Sequence, residues 1–449
     1  MQTFDLIIIG GGPAGYVAAI RAGQLGMKVA VVEKNKLGGM CLNWGCMPSK
    51  TFIETAKLFD RLSKAASFGI DGIDKKALGI NWKKTVARKD RIVMRLVKGV
   101  EFLMKKNNVQ VITGLARIVG DNKVVVDDSE YETKKILIST GSRPERLKYP
   151  NLPDEKLVEI DDFFSRTEIP DSFLIDGGRI NACEIAHMLR LSGKKVTMVT
   201  NEDSLVPFLD KSLREFIIDK FKKNKIKVIT NSEITKDGVD GVFVGEEFIE
   251  CAYVINARHR NPVLPEMEGL ELELEDGHLR VNEFMQSSSP NIYAAGDCAG
   301  QYFAQIASAM GSAAVNHMNE IKEPLDFGKI PINMYTDPEI ASVGMTEDEL
   351  IDKKIEYKIG NFPLSINGKS MIEGQTEGFV KVLTETKYGE VMGVHIVAAH
   401  ATDMIAEAVM AMKLESTIED IARVVHAHPT VSETFMEASF IAGDRPVHI

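Results

Sequence analysis

Near its beginning the sequence reads Leu6-Ile7-Ile8-Ile9-Gly10-Gly11-Gly12-Pro13-Ala14-Gly15, an apolar strand that runs into a glycine-rich loop. A helix through Leu25 and a second apolar strand ending at Glu33 follow, which completes a β-α-β order. Gly10 permits a tight turn, Gly12 lets the backbone approach a pyrophosphate, and Gly15 lets the helix pack closely on the strand. The helix N-terminus faces the phosphate charge, and Glu33 would bind a ribose hydroxyl. The order of these parts predicts a dinucleotide-binding α/β unit.

Two cysteines, Cys41 and Cys46, follow this unit in the run Gly38-Gly39-Met40-Cys41-Leu42-Asn43-Trp44-Gly45-Cys46-Met47-Pro48-Ser49-Lys50. A disulfide across so short a loop would stabilise the fold by only about 2 kcal/mol, which a chain of this length hardly needs. Redox chemistry is therefore the better interpretation. Two buried free thiols are the alternative.

Composition narrows the class of protein. The chain has 449 residues, of which 44% are hydrophobic and 26% charged, so it is long enough for roughly three globular domains. The net charge of -10 and the lack of a long basic block argue against a nucleic-acid or anionic-membrane binder, and we expect no metal site. The other cysteines, Cys183, Cys251 and Cys298, are scattered, which predicts a reducing compartment and a cytoplasmic location. No apolar run reaches membrane-spanning length, and we expect no leader segment.

A glycine loop followed by the pattern GGxCxxxxGCxPSK resembles the class I pyridine nucleotide-disulfide oxidoreductases, which use a flavin, and the resemblance covers essentially the whole chain. Two later runs are also similar to that family, Ile136 to Pro144 and Asn291 to Asp297. The resemblance implies an α/β fold with two Rossmann-like dinucleotide-binding domains and a C-terminal α+β dimerisation domain. The implied boundaries are 1–145 and 277–328 for the FAD domain, 146–276 for the NAD(P)-binding-like domain and 329–449 for the interface domain.

In that family the first glycine loop holds FAD. The resemblance therefore implies a set of FAD-binding residues in the loop, in the segments behind it and in the later runs: Gly10, Gly12, Pro13, Ala14, Gly15, Glu33, Lys34, Gly39, Lys50, Gly114, Ala116, Thr140, Gly141, Gly296, Asp297 and Ala304.

The resemblance also implies roles at the redox centre. Cys41 would exchange with the substrate, and Cys46, nearer the flavin, would form the thiolate. Lys50, one helical turn after Cys46, is similar to the family lysine near the flavin, and Glu184 is similar to the glutamate that pairs with it. A solvated lysine on a helix face is the alternative.

The run His426-Ala427-His428-Pro429-Thr430-Val431-Ser432-Glu433 resembles the HxHPTxSE pattern of the lipoamide dehydrogenases within this family. His428 would take a proton from a substrate thiol, and Glu433 would orient the imidazole. In the family this histidine reaches the cysteines of the other subunit. The resemblance thus implies a homodimer with shared active sites.

A second β-α-β unit is visible near residue 172, but its loop reads Gly177-Gly178-Arg179-Ile180-Asn181-Ala182. Arg179 replaces the glycine that should meet the pyrophosphate. Thr200 stands where an acid should bind the ribose, and the glycine usual before the arginines near residue 257 is missing. NAD(H), at Gly177, Gly178, Arg179 and Thr200, is therefore a doubtful cofactor. Arg179 could instead contact a phosphate in a changed pose, and an alignment with a one-residue gap would bring Asp176 into the loop.

These features together predict an FAD-dependent dithiol-disulfide oxidoreductase similar to dihydrolipoamide dehydrogenase. Electrons would pass from a dihydrolipoyl group, free or on a lipoyl-carrying protein, through Cys41 and Cys46 to FAD and on to NAD or another acceptor. Two alternatives stay open, namely a reductase of another small disulfide and a flavoprotein subunit of a lipoyl-bearing complex that no longer uses NAD.

Overall fold

The computed structural model describes residues 1–145, 147 and 149–449. Within these residues the helices are α1 (Pro13–Gln24), α2 (Gly39–Asn43), α3 (Cys46–Ser63), α4 (Trp82–Lys106), α5 (Ile160–Phe163), α6 (Ile180–Leu191), α7 (Lys211–Lys223), α8 (Ala304–Met318), α9 (Glu347–Asp352), α10 (Gly368–Glu373), α11 (Ala401–Lys413), α12 (Ile418–Ala422) and α13 (Glu433–Ala442).

The strands of the same residues, in chain order, are β1 (Gln2–Ile9), β2 (Val29–Glu33), β3 (Gln110–Thr113), β4 (Ala116–Val119), β5 (Lys123–Val126), β6 (Ser129–Ile138), β7 (Ser142–Pro144), β8 (Leu157–Glu159), β9 (Ser172–Asp176), β10 (Lys195–Val199), β11 (Lys227–Ile229), β12 (Ile234–Gly238), β13 (Gly241–Val244), β14 (Glu247–Glu250), β15 (Tyr253–Asn256), β16 (Arg260–Pro262), β17 (Glu266–Glu268), β18 (Leu274–Glu275), β19 (His278–Leu279), β20 (Ile292–Ala294), β21 (Ile332–Met334), β22 (Glu339–Gly344), β23 (Tyr357–Pro363), β24 (Phe379–Glu385) and β25 (Val391–Ala398).

The first sheet has the order β17-β4-β5-β6-β1-β2-β3, and β20 pairs with β6 on the side away from β1. Its central strand β1 runs parallel to both β2 and β6. Leu6, Ile7 and Ile8 are completely buried because both faces of this strand are covered, which explains why the sequence is an unbroken apolar run there. The glycine loop after β1 therefore lies at the same edge of the sheet as the C-terminal ends of β6 and β20.

The second sheet, β11-β10-β9-β15-β8, repeats the arrangement with parallel strands. Helix α6 follows β9 as α1 follows β1, and the small antiparallel sheet β12-β13-β14 is inserted before β15. Both predicted Rossmann-like units are therefore present.

The third sheet, β21-β22-β25-β24-β23, is antiparallel, and helices α11 and α13 pack against it. Gly360 in β23 permits the close approach of α13, because a Cβ atom there would lie 1.8 Å from the carbonyl oxygen of Ala438. This contact sets the position of Glu433, the first residue of α13. The predicted fold class is thus confirmed.

The domain boundaries stay predictions. Strand β17 lies inside the predicted 146–276 segment yet pairs with β4 of the first sheet. In the described part of the chain, no helix is long and apolar enough to cross a membrane. Among the same residues, no group of three or more His, Cys, Asp or Glu side chains could hold a metal ion.

Candidate functional site

The two cysteines lie on consecutive helices, Cys41 within α2 and Cys46 as the first residue of α3. Both are free thiols and partly buried. A hydrogen bond from the Cys41 thiol lowers the pKa of Cys46, and the Lys50 charge lowers it further against the effect of burial. The same hydrogen bond raises the pKa of Cys41. The lowered pKa makes Cys46 the readier of the two thiols to ionise, and its position at a helix N-terminus also favours a thiolate.

Lys50 and Glu184 come together as predicted, with 2.7 Å between Nζ and Oε2. Glu184 lies on α6 with its side chain only 2% exposed, and its Oε1 accepts a hydrogen bond of 2.9 Å from the backbone N–H of Tyr335. The Lys50 ammonium also lies 4.8 Å from the centre of the Tyr335 ring. Burial acts against the charge of Lys50, but the neighbouring Glu184 and Cys46 outweigh it and raise the lysine's pKa. The ion pair thus connects α3, which carries Cys46, to α6 and to Tyr335, the residue that follows β21.

A cavity of about 560 Å³ opens where the first glycine loop (residues 10–15) meets the ends of β6 and β20. Most of the predicted FAD-binding residues line it: Gly10, Gly12, Pro13, Ala14, Glu33, Lys34, Gly39, Gly114, Ala116, Thr140, Gly141, Gly296 and Asp297. Three others lie elsewhere: Gly15 packs under the loop, Lys50 pairs with Glu184, and Ala304 begins α8.

The first glycine loop fits a bound dinucleotide. A Cβ atom at Gly15 would lie 1.9 Å from the carbonyl oxygen of Gly10, so α1 packs directly on the turn. At Gly12 a Cβ atom would meet nothing closer than the Gly39 Cα at 3.9 Å, and this open space belongs to the cavity. Glu33 Oε2 accepts a hydrogen bond of 2.7 Å from the Gly11 N–H, which holds the carboxylate at the rim. A pyrophosphate could approach Gly12 and a ribose could approach Glu33.

Sequence reasoning missed a polar chain at the other end of the cavity. Asp297 accepts a hydrogen bond from the Ser142 hydroxyl, which in turn accepts one of 3.0 Å from Arg260 Nε. Arg260 also pairs with Asp161 at 2.9 Å. Burial raises the pKa of Asp297, while Ser142 and Arg260 oppose that effect. Arg260 is one of the arginines near residue 257, inside the predicted 146–276 domain, but the pairing of β16 with β7 brings it into this cavity.

The second glycine loop (residues 177–182) follows the same backbone course as the first. The Gly177 N–H donates to the Val199 carbonyl at 2.8 Å, as the Gly10 N–H donates to Val32 at 2.8 Å. Thr200 therefore takes the place of Glu33. Asp176 is the last residue of β9, opposite Val199, so the alignment with a gap is wrong.

Arg179 occupies the position of Gly12, and both residues are extended N-caps of the following helix. Its Nε and Nη2 atoms each lie 3.1 Å from Glu202 Oε1, and its guanidinium lies 5.7 Å from the centre of the Phe208 ring. Thr200 packs on Gly178 and accepts a hydrogen bond of 3.2 Å from the Glu202 N–H through its hydroxyl. Ala182 at the third glycine position is compatible with dinucleotide folds. The departure from a nicotinamide site therefore rests on Arg179 and Thr200.

His428 and Glu433 form the predicted pair, with 2.8 Å between Nδ1 and Oε1, and the His428 side chain is 81% exposed. Glu433 Oε2 accepts a hydrogen bond of 2.8 Å from the Thr430 N–H. Burial would raise the pKa of Glu433, but this hydrogen bond and His428 lower it overall. Within the described residues of one chain, no hydrogen bond joins His428 to either cysteine. His426 instead pairs with Glu407 at 2.7 Å, which raises the pKa of the imidazole.

The chain is similar to known proteins over nearly its whole length. It matches the family described as pyridine nucleotide-disulphide oxidoreductase over residues 4–313 and that family's dimerisation domain over residues 330–439. A dihydrolipoyl dehydrogenase of Bacillus subtilis is 36% identical, with 96% of this chain and 97% of that protein covered. The mitochondrial dihydrolipoyl dehydrogenase 1 of Arabidopsis thaliana is 34% identical, with 99% and 91% covered. The crystal structure of LpdA from Mycobacterium tuberculosis shares the fold with a TM-score of 0.89 at 23% identity, covering 98% of this chain and 99% of that one.

Proposed function

This chain belongs to the pyridine nucleotide-disulphide oxidoreductase family, and from that membership we propose that it oxidises dihydrolipoyl groups at Cys41 and Cys46. It is an FAD-dependent disulfide oxidoreductase of the dihydrolipoyl dehydrogenase type. The observation that carries the proposal is the thiol pair beside Lys50, because the lysine charge favours a thiolate on Cys46 against the opposing charge of Glu184 and leaves Cys41 to exchange with a substrate.

The exchange is a two-electron transfer from the dihydrolipoyl dithiol to the Cys41–Cys46 disulfide. A dihydrolipoyl thiolate attacks Cys41 of the Cys41–Cys46 disulfide, which forms a mixed disulfide and releases Cys46 as a thiolate. The second dihydrolipoyl thiol then displaces Cys41, so the lipoyl group leaves as a disulfide and the enzyme keeps two reduced cysteines. His428 accepts the proton of the attacking substrate thiol, and Glu433 stabilises the resulting imidazolium.

We assign FAD to the cavity at the first glycine loop. Gly12 leaves room for the pyrophosphate, Glu33 faces the ribose, and Asp297 with Arg260 closes the opposite end. When bound there, FAD supplies a two-electron acceptor for the reduced cysteine pair. The family also uses NAD(P), and whether NAD or another acceptor receives the electrons here depends on the second glycine loop.

We propose that two subunits share each site. The chain carries the family's dimerisation domain, and the exposed His428 is free to serve the cysteines of a second subunit. We further expect the enzyme to work in the cytoplasm, on a dihydrolipoyl group that is free or attached to a carrier protein.

Anaerobic titration of the flavin-loaded enzyme with dihydrolipoamide tests this function. We expect a long-wavelength thiolate-to-flavin charge-transfer absorbance after one equivalent. Cys41→Ser should block the exchange while the Cys46 thiolate remains, and His428→Gln should slow reduction by at least about a hundredfold at neutral pH. If dihydrolipoamide fails to reduce the wild type but glutathione, a monothiol, or a different small dithiol succeeds, the lipoyl assignment is wrong.

A further inference from the structure

The second glycine loop differs from the first by what occupies the space above its helix. In the first loop, the direction of a Cβ atom at Gly12 points into the FAD cavity and is open to 3.9 Å. In the second loop a complete arginine side chain starts from the equivalent backbone position. A dinucleotide pyrophosphate would need that same space, because it binds against the N-terminal N–H groups of the helix.

Glu202 decides whether Arg179 could act instead as a phosphate ligand. Two guanidinium nitrogens are held at 3.1 Å from Glu202 Oε1, while Oε2 is buried without a hydrogen-bond partner among the described residues. If Arg179 turned to a pyrophosphate, the Glu202 carboxylate would lose its counter-charge and would lie close to the incoming negative charge. Leaving a partly buried carboxylate unpaired is costly, so the exchange is unfavourable.

The position where the ribose of a dinucleotide would bind is also unfavourable for a nicotinamide dinucleotide. Thr200 replaces the acid that would accept hydrogen bonds from a ribose diol, and its hydroxyl already accepts one from the Glu202 N–H. The Arg179 charge also lowers the pKa of His259, in addition to the effect of burial. The pyrophosphate position and the ribose position of the loop are therefore both occupied by side chains that hydrogen-bond to Glu202.

We propose that the Arg179–Glu202 ion pair excludes nicotinamide dinucleotides from the second unit, with Arg179 as the residue that determines this specificity. The inference rests on the proposed function in one respect: if the enzyme oxidises a dithiol, exclusion of the dinucleotide means that the enzyme discriminates against NAD as its electron acceptor. The exclusion itself is a property of binding and does not depend on which dithiol is oxidised.

The test is equilibrium binding of NADH and of ADP-ribose to the flavin-loaded protein, followed by NADH fluorescence and by calorimetry. We expect weak binding to the wild type. Arg179→Gly with Glu202→Gln should bind both probes at least about tenfold more tightly, because the double change clears the space and removes the negative charge. Arg179→Gly alone should give a smaller gain in the same direction.

Two matched variants separate bulk from charge. Arg179→Met keeps the volume without the guanidinium and should not tighten binding. Glu202→Gln keeps the arginine but removes the partner that holds it and the negative charge beside it, so it should bind NADH more tightly than the wild type and less tightly than the double variant. Binding in Arg179→Gly that is no tighter than in the wild type would show that Arg179 does not exclude the dinucleotide and would overturn the proposal.

Fold and function are checked in the same samples. Flavin content and the thermal midpoint identify a variant that fails to fold, and Arg179→Ala replaces Arg179→Gly in that case. Reduction by dihydrolipoamide is measured separately, so a failed lipoyl assignment and a failed exclusion of NADH give different results.

Discussion

The two glycine loops share a backbone course, but the first leaves a space above its helix and the second fills it. The match extends to the hydrogen bonds around the loops, since Gly38 donates to Gly11 at 2.8 Å and Val206 donates to Gly178 at 2.9 Å. Two positions account for the difference: Gly12 against Arg179, and Glu33 against Thr200. The sheet register and the first glycine thus preserve the Rossmann backbone in both units. The side chains at two other positions determine which ligand each unit can bind.

Moving the arginine into the first loop should have the largest effect. Gly12→Arg should lower the affinity for FAD by at least about a hundredfold, because the side chain would enter the space where the pyrophosphate approaches. Flavin content of the purified protein measures this. Gly79→Arg is the matched control, since Gly79 has open space around it and should keep a full complement of flavin.

The third glycine position is Gly15 in the first loop and Ala182 in the second. We expect substitutions at these two residues to change the free energy of unfolding by different amounts. Gly15→Ala should lower the free energy of unfolding by about 3 kcal/mol, because its Cβ atom would lie 1.9 Å from the Gly10 carbonyl oxygen. Ala182→Gly should cost only about 1 kcal/mol, as expected for glycine in a helix. Urea unfolding of both apoproteins provides the comparison. Equal effects would show that the third position does not distinguish the two loops.

The residue after the second strand is Glu33 in the first unit and Thr200 in the second. We expect only Glu33 to contribute to FAD binding. Glu33→Thr copies the second unit and should weaken FAD binding about tenfold, because it removes the carboxylate that accepts from Gly11. Thr200→Val in the second unit should leave the FAD affinity unchanged. Apoprotein reconstitution with FAD, followed by flavin fluorescence, measures both. A loss of FAD in Thr200→Val would mean that the units do not bind their ligands independently.

The smallest expected effect is on the pKa of Cys46, in the cysteine centre where Lys50 pairs with Glu184 of the second unit. Lys50→Met removes the positive charge that lowers the pKa of Cys46, so we expect that pKa to rise by up to about one unit. Alkylation of the reduced enzyme should then need a higher pH, because only the thiolate reacts and less of it is present at a given pH. The iodoacetamide rate across pH 5 to about 9 measures the shift. An unchanged profile would show that Cys41 and the helix N-terminus fix the thiolate by themselves.

Local sequence predicted what depends on local chemistry. The run from Leu6 to Gly15 contains the strand, the turn and the helix start, and Cys46 and Lys50 are one helical turn apart on the same helix. Arg179 was recognised as a replaced glycine for the same reason. The three-domain fold and the set of FAD-binding residues were implied by the family resemblance that these segments carry, not by the local pattern itself.

Contacts between distant segments were harder to predict. The partner of Arg179 is Glu202, in an irregular segment whose course depends on the Val206–Gly178 hydrogen bond. Arg260 reaches the FAD cavity only because β16 pairs with β7, more than 100 residues earlier. Periodicity and spacing do not report such pairings. The pairing of Lys50 with Glu184 was implied by the family resemblance, and no pattern in the sequence alone indicates it.

The Lys50–Glu184 contact has a consequence for how this protein could evolve. Glu184 lies on the helix directly behind the second glycine loop, so the unit that carries an obstructed loop also supplies the counter-ion of the cysteine centre. A lineage that discarded the unit together with its nucleotide site would leave Lys50 without its carboxylate partner and would also lose the hydrogen bond from the Tyr335 N–H to Glu184. Substitutions in the loop can therefore accumulate without harm to the cysteine centre. Removal of the surrounding 100 or so residues would instead take away the counter-ion of Lys50.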